Sequence, residues 1–223
     1  MNEYEFQFCG TRLHALPDGA LFAPDAGWLA VSDLHLGKSD RIARREGRLT
    51  PPYETMETLA RLASIIDELQ PNMVISLGDS FDDQLAAEAL PEAAYTHLSR
   101  LMAGRRWVWI LGNHDPTPSS LGGAYHAELR LDALTFRHIA TAKPCDEGEI
   151  SGHYHPKSRI RGRARPVFLV DKSKIIMPAF GVYTGGMDCT DPVFDNLMSE
   201  NALALFTGPR VVPAPRKALR SVR

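Results

Sequence analysis

Five segments of the chain share one pattern, a short apolar run that ends in side chains able to bind metal ions. The endings are Asp33-Leu34-His35, Gly78-Asp79, Gly112-Asn113-His114-Asp115, His138 and Gly152-His153-Tyr154-His155. Such a mixture of carboxylate, amide and imidazole groups suits Mn, Fe, Zn, Ni or Co better than Mg or Ca. We interpret the set as a site for two divalent metal ions.

The spacing inside these endings favours a shared site. Asp33 and His35 are two residues apart, so at the end of a strand both side chains can face one point, and His153 and His155 have the same spacing. An acidic residue directly after a strand, such as Asp79, can bridge two ions. Two bridged ions about 3.5–4 Å apart hold both oxygens of a phosphoryl displacement and lower the pKa of a shared water. The pattern therefore predicts a hydrolase that acts on phosphate esters.

Each motif has a structural alternative when it is taken alone. Asp-x-His is often a helix cap or a surface pair, and Gly-Asp is often a turn, whereas Gly-Asn-His-Asp after the core run 107–111 is much rarer. His138 lies in an apolar stretch where histidine is usually a core residue, and His126 competes with it as a ligand. Ser32 and Ser151 precede ligands without a partner base, which disfavours a serine nucleophile.

The bulk composition is that of an ordinary globular protein. The chain has 223 residues, 44% of them hydrophobic and 23% charged, which predicts one domain with a real core and excludes disordered and fibrous classes. The net charge of −2 gives no support to a nucleic-acid partner, so any basic surface must be local. Three cysteines without a CxxC motif, no signal peptide and no long apolar run predict a cytoplasmic protein that does not enter a membrane.

Hydrophobic periodicity predicts the elements that position the motifs. The predicted strands cover residues 4–9, 20–22, 28–32, 73–77, 107–111, 134–140, 148–152 and 202–206, with a hairpin at 167–177. The predicted helices are a long one that starts at Pro51-Pro52 and ends before Pro71, and one near 84–103; residues 37–49 are a loop or a short helix. Residues 1–207 are predicted to form the domain, a β-sandwich with helices outside, and residues 208–223 a basic, partly mobile tail.

Basic residues near the motifs are candidates for substrate binding. Lys38 directly follows the first motif, where it could meet a phosphate oxygen or simply remain in solvent. Alternating arginines follow the last motif, namely Arg159, Arg161, Arg163 and Arg165. On one strand they would form a positive stripe suited to a sugar-phosphate backbone, but an interrupting glycine and proline equally allow a hairpin. Tyr183 could stack on a base, although a plain turn explains its glycine-rich surroundings better.

Together, the five motifs resemble the signature of the calcineurin-like metallophosphoesterase superfamily. A narrower resemblance, carried by residues 31–38, 151–157 and 178–187, is to its bacterial ligase-associated branch, the PdeM branch. The resemblance implies a four-layer αββα sandwich, an α/β fold. It assigns one metal to Asp33, His35, Asp79 and His155, and the other to Asp79, Asn113, His138 and His153. It also makes His114 the general acid that protonates the leaving oxygen, with Asp115 orienting it.

The ligase-associated branch implies a manganese-dependent DNA phosphodiesterase or endonuclease that works with an ATP-dependent DNA ligase and a helicase. We therefore expect hydrolysis of phosphodiester bonds in nucleic acid, with single-stranded DNA as the substrate, in repair. A small-molecule phosphodiesterase or phosphomonoesterase of the same mechanism is the alternative, and a non-catalytic scaffold is a third. One departure bears on substrate preference, because many members have histidine where this chain has Asp82.

Overall fold

The structure, a computed structural model, describes residues 2–47, 53–142, 148–160 and 162–219. Within these residues the first sheet contains seven strands that lie side by side in chain order. They are β1 (Tyr4–Phe8), β2 (Thr11–Ala15), β3 (Leu21–Ala23), β4 (Trp28–Val31), β5 (Met73–Leu77), β6 (Arg106–Ile110) and β7 (Ala124–His126). Neighbours from β1 to β4 are antiparallel, whereas β4 to β7 are parallel.

The second sheet is mixed, and its spatial order differs from its chain order. Its strands are β8 (Glu128–Leu131), β9 (Leu134–Arg137), β10 (Gly148–Ser151), β11 (Lys157–Ile160), β12 (Arg163–Val170), β13 (Lys174–Ile176), β14 (Leu203–Phe206) and β15 (Val212–Pro215). The order across the sheet is β15-β14-β12-β13-β10-β9-β8, and β11 pairs with β12 as a side hairpin. Strands β9, β10 and β13 run parallel to one another.

Six helices lie outside the two sheets in the described part of the chain. They are α1 (Lys38–Glu46), α2 (Glu54–Leu69), α3 (Gln84–Glu88), α4 (Glu92–Met102), α5 (Val193–Leu197) and α6 (Arg216–Leu219). None of them is both long and apolar enough to cross a bilayer.

The strand residues explain the layering because alternate side chains enter different cores. In β6, Trp107 and Trp109 pack with α2 and α4, whereas Val108 and Ile110 enter the core between the two sheets. In β12, Phe168 joins that same central core while its neighbours face α5 on the outer side. Three cores separated by two sheets make the four-layer αββα sandwich, which confirms the predicted fold class.

Several element boundaries differ from those predicted. The helix expected near 84–103 is two helices, because Pro91 cannot continue α3 and instead stands at the N-cap of α4. The strand expected over 134–140 ends at Arg137, which leaves His138 in the loop beyond it. Strands β2, β7 and β8 were not predicted. The predicted helix start at Pro51-Pro52 lies outside the described residues.

The C-terminal segment enters the fold beyond the boundary predicted at residue 207. Strand β15 pairs antiparallel with β14 and forms the edge of the second sheet. An edge tolerates Pro213 and Pro215, since a proline lacks the N–H that a central strand needs. After it, the buried Arg216 donates to the Cys189 carbonyl and to Asp195, each at 2.8 Å. Residues 212–219 are therefore part of the packed structure.

Candidate metal centre

The ligand candidates follow parallel strands that end at one edge of the sandwich. Asp33, Asp79 and Asn113 come two or three residues after β4, β5 and β6, which are parallel neighbours in register. In the facing sheet, His138 follows β9 and His153 follows the parallel strand β10. Since the carboxyl ends of parallel strands meet at one edge, the two sheets present their polar loops to a common place.

The first group of ligand atoms comes from Asp33, His35 and His155, whose donor atoms all lie within 4.8 Å of one another. His155 Nε2 is 3.0 Å from Asp33 Oδ1. These two atoms and His35 Nε2 are buried and lack a hydrogen-bond partner among the described residues. A buried polar atom left unpaired costs about 1–3 kcal/mol. Because three such atoms converge and all can donate a lone pair, the group fits a divalent cation.

The second group consists of Asp79, His138 and His153, again with donor atoms within 4.8 Å of one another. His138 Nε2 lies 3.3 Å from Asp79 Oδ2 and 3.2 Å from His153 Nδ1. It is also 3.0 Å from Asn113 Oδ1, which adds the amide to the group. The other ring nitrogen of His138 donates to the Leu77 carbonyl at 2.8 Å, an arrangement typical of metal-binding histidines.

The two groups adjoin, since Asp33 Oδ1 is 4.0 Å from His138 Nδ1. The structure thus brings all seven predicted metal ligands to one edge of the sandwich. Asp79 belongs to the second group, and its sharing between both ions stays a prediction. His126, the competitor of His138, ends β7 and joins neither group among the described residues.

The ligand loops hold their backbone in an unfavourable conformation. Positive φ angles of 45° to 70° occur at Asp33, His35, Asp79, His153 and His155. Such left-handed geometry is uncommon outside glycine, and local strain of this kind clusters at functional sites. The loops are also closely packed, because a Cβ on Gly152 would collide with Ser32 Oγ. The ligand loops after β4 and β10 are therefore pressed directly together.

The electrostatics around His138 favour positive charge between the carboxylates of Asp79 and Asp33. Burial raises the pKa of Asp79, but the hydrogen bond and charge of His138 outweigh it and lower the pKa to about 2. Burial lowers the pKa of His138, but Asp79 and Asp33 together raise it to about 9. Burial likewise opposes ionisation of Asp33, yet His155 and His138 lower its pKa. Carboxylates that stay ionised while buried are suited to hold a cation.

His114 stands beside the second group but remains accessible. Its backbone N–H donates to Asp79 Oδ1 at 2.8 Å, and its ring Nδ1 donates to the Asp82 carbonyl at 2.8 Å. The ring Nε2 lies 4.0 Å from Asp79 Oδ2. The His114 side chain is 39% exposed, against 4% for His138. A group that protonates a substrate oxygen must be reachable in this way, whereas a ligand need not be.

Asp115 has a different contact from the one expected. It does not orient the His114 ring, whose partner is the Asp82 carbonyl; instead it accepts four backbone hydrogen bonds at 2.8–3.1 Å. The donors are the amides of Asp79, Ser80, Phe81 and Gly112. The carboxylate therefore ties the loop after β5 to the loop after β6. Burial and the charge of Asp79 raise the pKa of Asp115 to about 6, although these amides counteract them.

Asp82 completes a Gly-Asp-x-x-Asp spacing after β5, and from the sequence it was assigned no role beyond a bearing on substrate preference. With His35 and His114 it forms a third group of possible ligand atoms that lie within 4.8 Å of one another. Its Oδ1 accepts from His35 Nδ1 at 2.7 Å, which leaves His35 Nε2 for the first ligand group. Its Oδ2 accepts from Arg41 on α1. Burial raises the pKa of Asp82, but the hydrogen bonds from His35 and Arg41 outweigh it and lower the pKa to about 2. The Gly-Asp-x-x-Asp spacing was the available signal for this residue.

The substrate-binding candidates have different surroundings. Lys38 begins α1, and its ammonium lies 3.9 Å from Asp82 Oδ1, at the rim of the first group. Arg159 is exposed on β11, and its guanidinium donates to the Gly162 carbonyl at 3.2 Å. Arg159, Arg163 and Arg165 therefore lie on a hairpin of β11 and β12, not on one straight stripe. Arg161 lies outside the described residues.

Lys157 was missed by the sequence analysis. It follows the Gly-His-x-His-Pro sequence directly, and its ammonium donates to the Thr184 carbonyl at 2.6 Å. Burial and the nearby positive charge of Lys38 lower the pKa of Lys157. Lys157 comes two residues after His155 and therefore lies beside the first ligand group.

Comparison with known proteins agrees with this geometry. A family model described as calcineurin-like phosphoesterase matches residues 29–205, a range that contains every ligand loop. The crystal structure of Pseudomonas putida nuclease MPE is similar over 96% of this chain and 100% of that chain, with a TM-score of 0.77 and 27% identity. Yfce, a phosphoesterase from E. coli, aligns over 84% of this chain and 98% of that chain, with a TM-score of 0.42 and 11% identity.

No curated protein matched the chain. The family match covers well over half of the residues and includes both groups of metal-binding side chains. The chain therefore belongs to the calcineurin-like phosphoesterase family and is a metal-dependent phosphoesterase.

Proposed function

We propose that the protein hydrolyses phosphodiester bonds in single-stranded DNA, as a repair endonuclease that uses two Mn²⁺ ions. The observation that carries this proposal is the pair of adjoining ligand groups, in which three buried donor atoms have no hydrogen-bond partner among the described residues. The similar Pseudomonas putida protein is itself named a nuclease, and it supports nucleic acid as the substrate class. The resemblance to the ligase-associated branch supports the repair role.

The residues divide the chemical work. Asp33, His35 and His155 would hold one ion, and Asp79, Asn113, His138 and His153 the other, with Asp79 shared. Bound there, the ions lower the pKa of water and neutralise charge on the phosphate oxygens. His114 donates a proton from Nε2 to the departing sugar oxygen. The hydrogen bond from His114 Nδ1 to the Asp82 carbonyl holds the ring in the required orientation.

A cleavage panel tests the proposal. The purified protein with Mn²⁺ is incubated with linear single-stranded, closed circular single-stranded and duplex DNA. We expect the circles to be opened, since an endonuclease needs no free end. An Asp79→Asn variant with the same purification history controls for contaminating nucleases. Failure of the wild-type protein to cut any of these DNAs would overturn the DNA assignment.

The resemblance to the ligase-associated branch also supports action alongside an ATP-dependent DNA ligase and a helicase, in the cytoplasm. Size-exclusion chromatography of this protein mixed with each purified partner from the same organism tests direct contact. Co-elution is the expected result, and separate elution at micromolar concentrations would argue against a stable complex.

A small-molecule phosphodiesterase is the second candidate, favoured by the pairing of basic groups near the site. Lys38 and Arg41 lie against Asp82, and Arg44 contacts Asp83 at 2.9 Å. Such pairing leaves little free positive charge for a polyanion. Cleavage rates on DNA and on bis-p-nitrophenyl phosphate, measured as salt is raised, discriminate the two. A steep fall on DNA alone favours the nuclease, because backbone contacts release counterions.

A further inference from the structure

Residues 178–187 form a loop after β13, which we call the bridging loop. It contacts the ligand loop after β4 in the first sheet and the ligand loop after β10 in the second sheet. Phe180 N–H donates to the Ser32 carbonyl at 2.8 Å, and Gly181 N–H donates to the Asp33 carbonyl at 3.2 Å. At the other end, Met187 N–H donates to the Tyr154 carbonyl at 3.3 Å. The bridging loop is therefore fixed to the segments that carry Asp33 and His155.

Two glycines bring the bridging loop into direct backbone contact with the ligand segments. A Cβ on Gly181 would collide with the Leu34 carbonyl, and a Cβ on Gly186 would collide with the His155 carbonyl. No larger residue fits at either place without moving a ligand loop. The position of the residues between them is thereby tied to the metal centre.

Tyr183 lies between these two anchors with its side chain turned to solvent. It has a φ of 62°, an uncommon conformation for a non-glycine residue, and is 57% exposed. The backbone around it is held on both sides, by Val182 N–H donating to Thr58 Oγ1 at 3.2 Å and by Thr184 Oγ1 donating to the Gly181 carbonyl at 3.1 Å. An exposed aromatic ring on a fixed backbone is a ready surface for stacking.

Lys157 contacts the backbone next to Tyr183. Its ammonium holds the carbonyl of Thr184, the neighbour of Tyr183, and its stem packs where a Cβ on Gly186 would lie. The ammonium has three N–H donors, so it can bind an anion while it holds this carbonyl.

We propose that Lys157 and Tyr183 form a nucleotide-binding subsite beside the metal centre. Lys157 binds a backbone phosphate adjacent to the scissile one, and the Tyr183 ring stacks on a base. This inference rests on the proposed nuclease function and identifies the residues that make a nucleic acid a better substrate than a simple diester. Stacking and phosphate contact have no base-pair readout, so the subsite accepts any sequence.

Substitution of Tyr183 tests the stacking contact. Tyr183→Asn removes the ring but keeps a residue that tolerates positive φ, whereas Tyr183→Phe keeps the ring. The ratio of kcat/KM for single-stranded DNA to that for bis-p-nitrophenyl phosphate is expected to fall about tenfold in the asparagine variant. The ratio stays near the wild-type value in Tyr183→Phe and in Tyr95→Asn, which alters an exposed tyrosine on α4.

Substitution of Lys157 tests the phosphate contact. Lys157→Gln keeps a donor for the Thr184 carbonyl but removes the charge. The slope of log KM for single-stranded DNA against log salt concentration should become shallower by about 0.7, the value for one phosphate contact. Metal content, measured by mass spectrometry, checks that the metal centre is intact in this variant.

The outcomes separate this inference from the proposed function. Equal loss on both substrates in Tyr183→Asn, or no loss on DNA, would overturn the stacking role even though the wild-type protein cuts DNA. An unchanged salt slope in Lys157→Gln would overturn the phosphate contact. A wild-type protein that hydrolyses only the small diester would instead overturn the proposed substrate.

Discussion

Buried charged groups lie at two places near strand β10, one in the strand itself and one at the metal centre beyond its end. The two places differ in how completely other protein groups neutralise the charges. Glu149 in the strand is 1% exposed and lies 3.5 Å from the equally buried Lys174, its register partner on β13. Thr141 donates its hydroxyl to Glu149 at 2.6 Å and accepts from Lys174 through its carbonyl. Arg137 Nε lies 3.3 Å from Glu149 without making a hydrogen bond to it, and the same guanidinium donates through Nη2 to Glu128 at 3.0 Å. Glu149 and Lys174 therefore each have hydrogen-bond partners in the protein.

The metal centre, a few residues further along, is built from similar groups but left incomplete. Asp33 Oδ1, His35 Nε2 and His155 Nε2 are buried with no hydrogen-bond partner among the described residues. The presence or absence of hydrogen-bond partners distinguishes buried charges with a structural role from buried charges that can bind a ligand. A closed network such as that of Glu149 stabilises the native state only, whereas converging unpaired donor atoms point to a ligand that the chain does not supply.

Metal removal should produce the largest difference between the two regions. Dialysis against EDTA is expected to abolish phosphodiester hydrolysis, and added Mn²⁺ to restore it, because the metal centre cannot act without its ions. The Glu149 network needs no ion, so the circular dichroism spectrum should be retained. Turnover that continues unchanged in EDTA would contradict the metal assignment of the unpaired donor atoms.

Substitution of His114 should separate catalysis from metal binding within the metal centre. His114→Ala is expected to retain both ions but to lose hydrolysis of an alkyl phosphodiester by about 10²–10⁴-fold, as for other general acids. Aryl esters, whose leaving groups need less protonation, should suffer less. Metal content by mass spectrometry accompanies the kinetics. Wild-type rates on the alkyl diester would show that His114 is not the acid.

Substitution of Lys174 should affect stability without affecting chemistry. Lys174→Met removes the buried cation of Glu149 and leaves only the partly exposed Arg137 beside it, so it is expected to lower the free energy of unfolding by about 3–5 kcal/mol. The double variant Glu149→Gln, Lys174→Met should recover much of this loss. Denaturant unfolding measures both, and activity per folded molecule should be unchanged.

A surface ion pair provides the control for that experiment. Arg130 contacts Glu128 at 3.4 Å with both side chains largely in solvent. Arg130→Met should therefore change the free energy of unfolding by less than about 1 kcal/mol. Equal effects of Lys174→Met and Arg130→Met would refute the distinction between a closed buried network and an exposed pair.

Substitution of Asp82 should have a smaller effect on the metal centre than that of His114, since Asp82 contacts the predicted ligand His35 without being predicted as a ligand itself. Asp82→Asn keeps an acceptor for His35 Nδ1 but loses the charge that holds Arg41, and is expected to weaken metal affinity about 10–100-fold. Calorimetric titration with Mn²⁺ measures the affinity. Asp83→Asn is the matched control, because Asp83 caps α3 and pairs with Arg44 instead. Equal affinities in both variants would remove Asp82 from the metal centre.

Local patterns predicted much of the fold. Runs of apolar residues predicted the bounds of β4, β5, β6 and β10 to within one or two residues. The apolar run of a buried strand is a local feature, so the sequence alone can show it. The same patterns missed β2, β7 and β8, which are short and polar, and joined α3 to α4 across Pro91. The position of β15 also escaped prediction, since a strand with two prolines is stable only when another strand provides an edge.

Local spacing in the sequence predicted the side chains that the structure brings together at one edge of the sandwich. The Asp-x-His and His-x-His spacings act within two residues, so the chain alone can orient each pair toward one point. The hydrogen-bond partners of these groups could be identified only from the tertiary structure. In the folded chain, Asp115 accepts from the amides of another loop, His35 is hydrogen-bonded to Asp82, and Lys157 donates to the Thr184 carbonyl. Hydrogen-bond partners far apart in sequence follow from how the two sheets pack, and no local spacing encodes that.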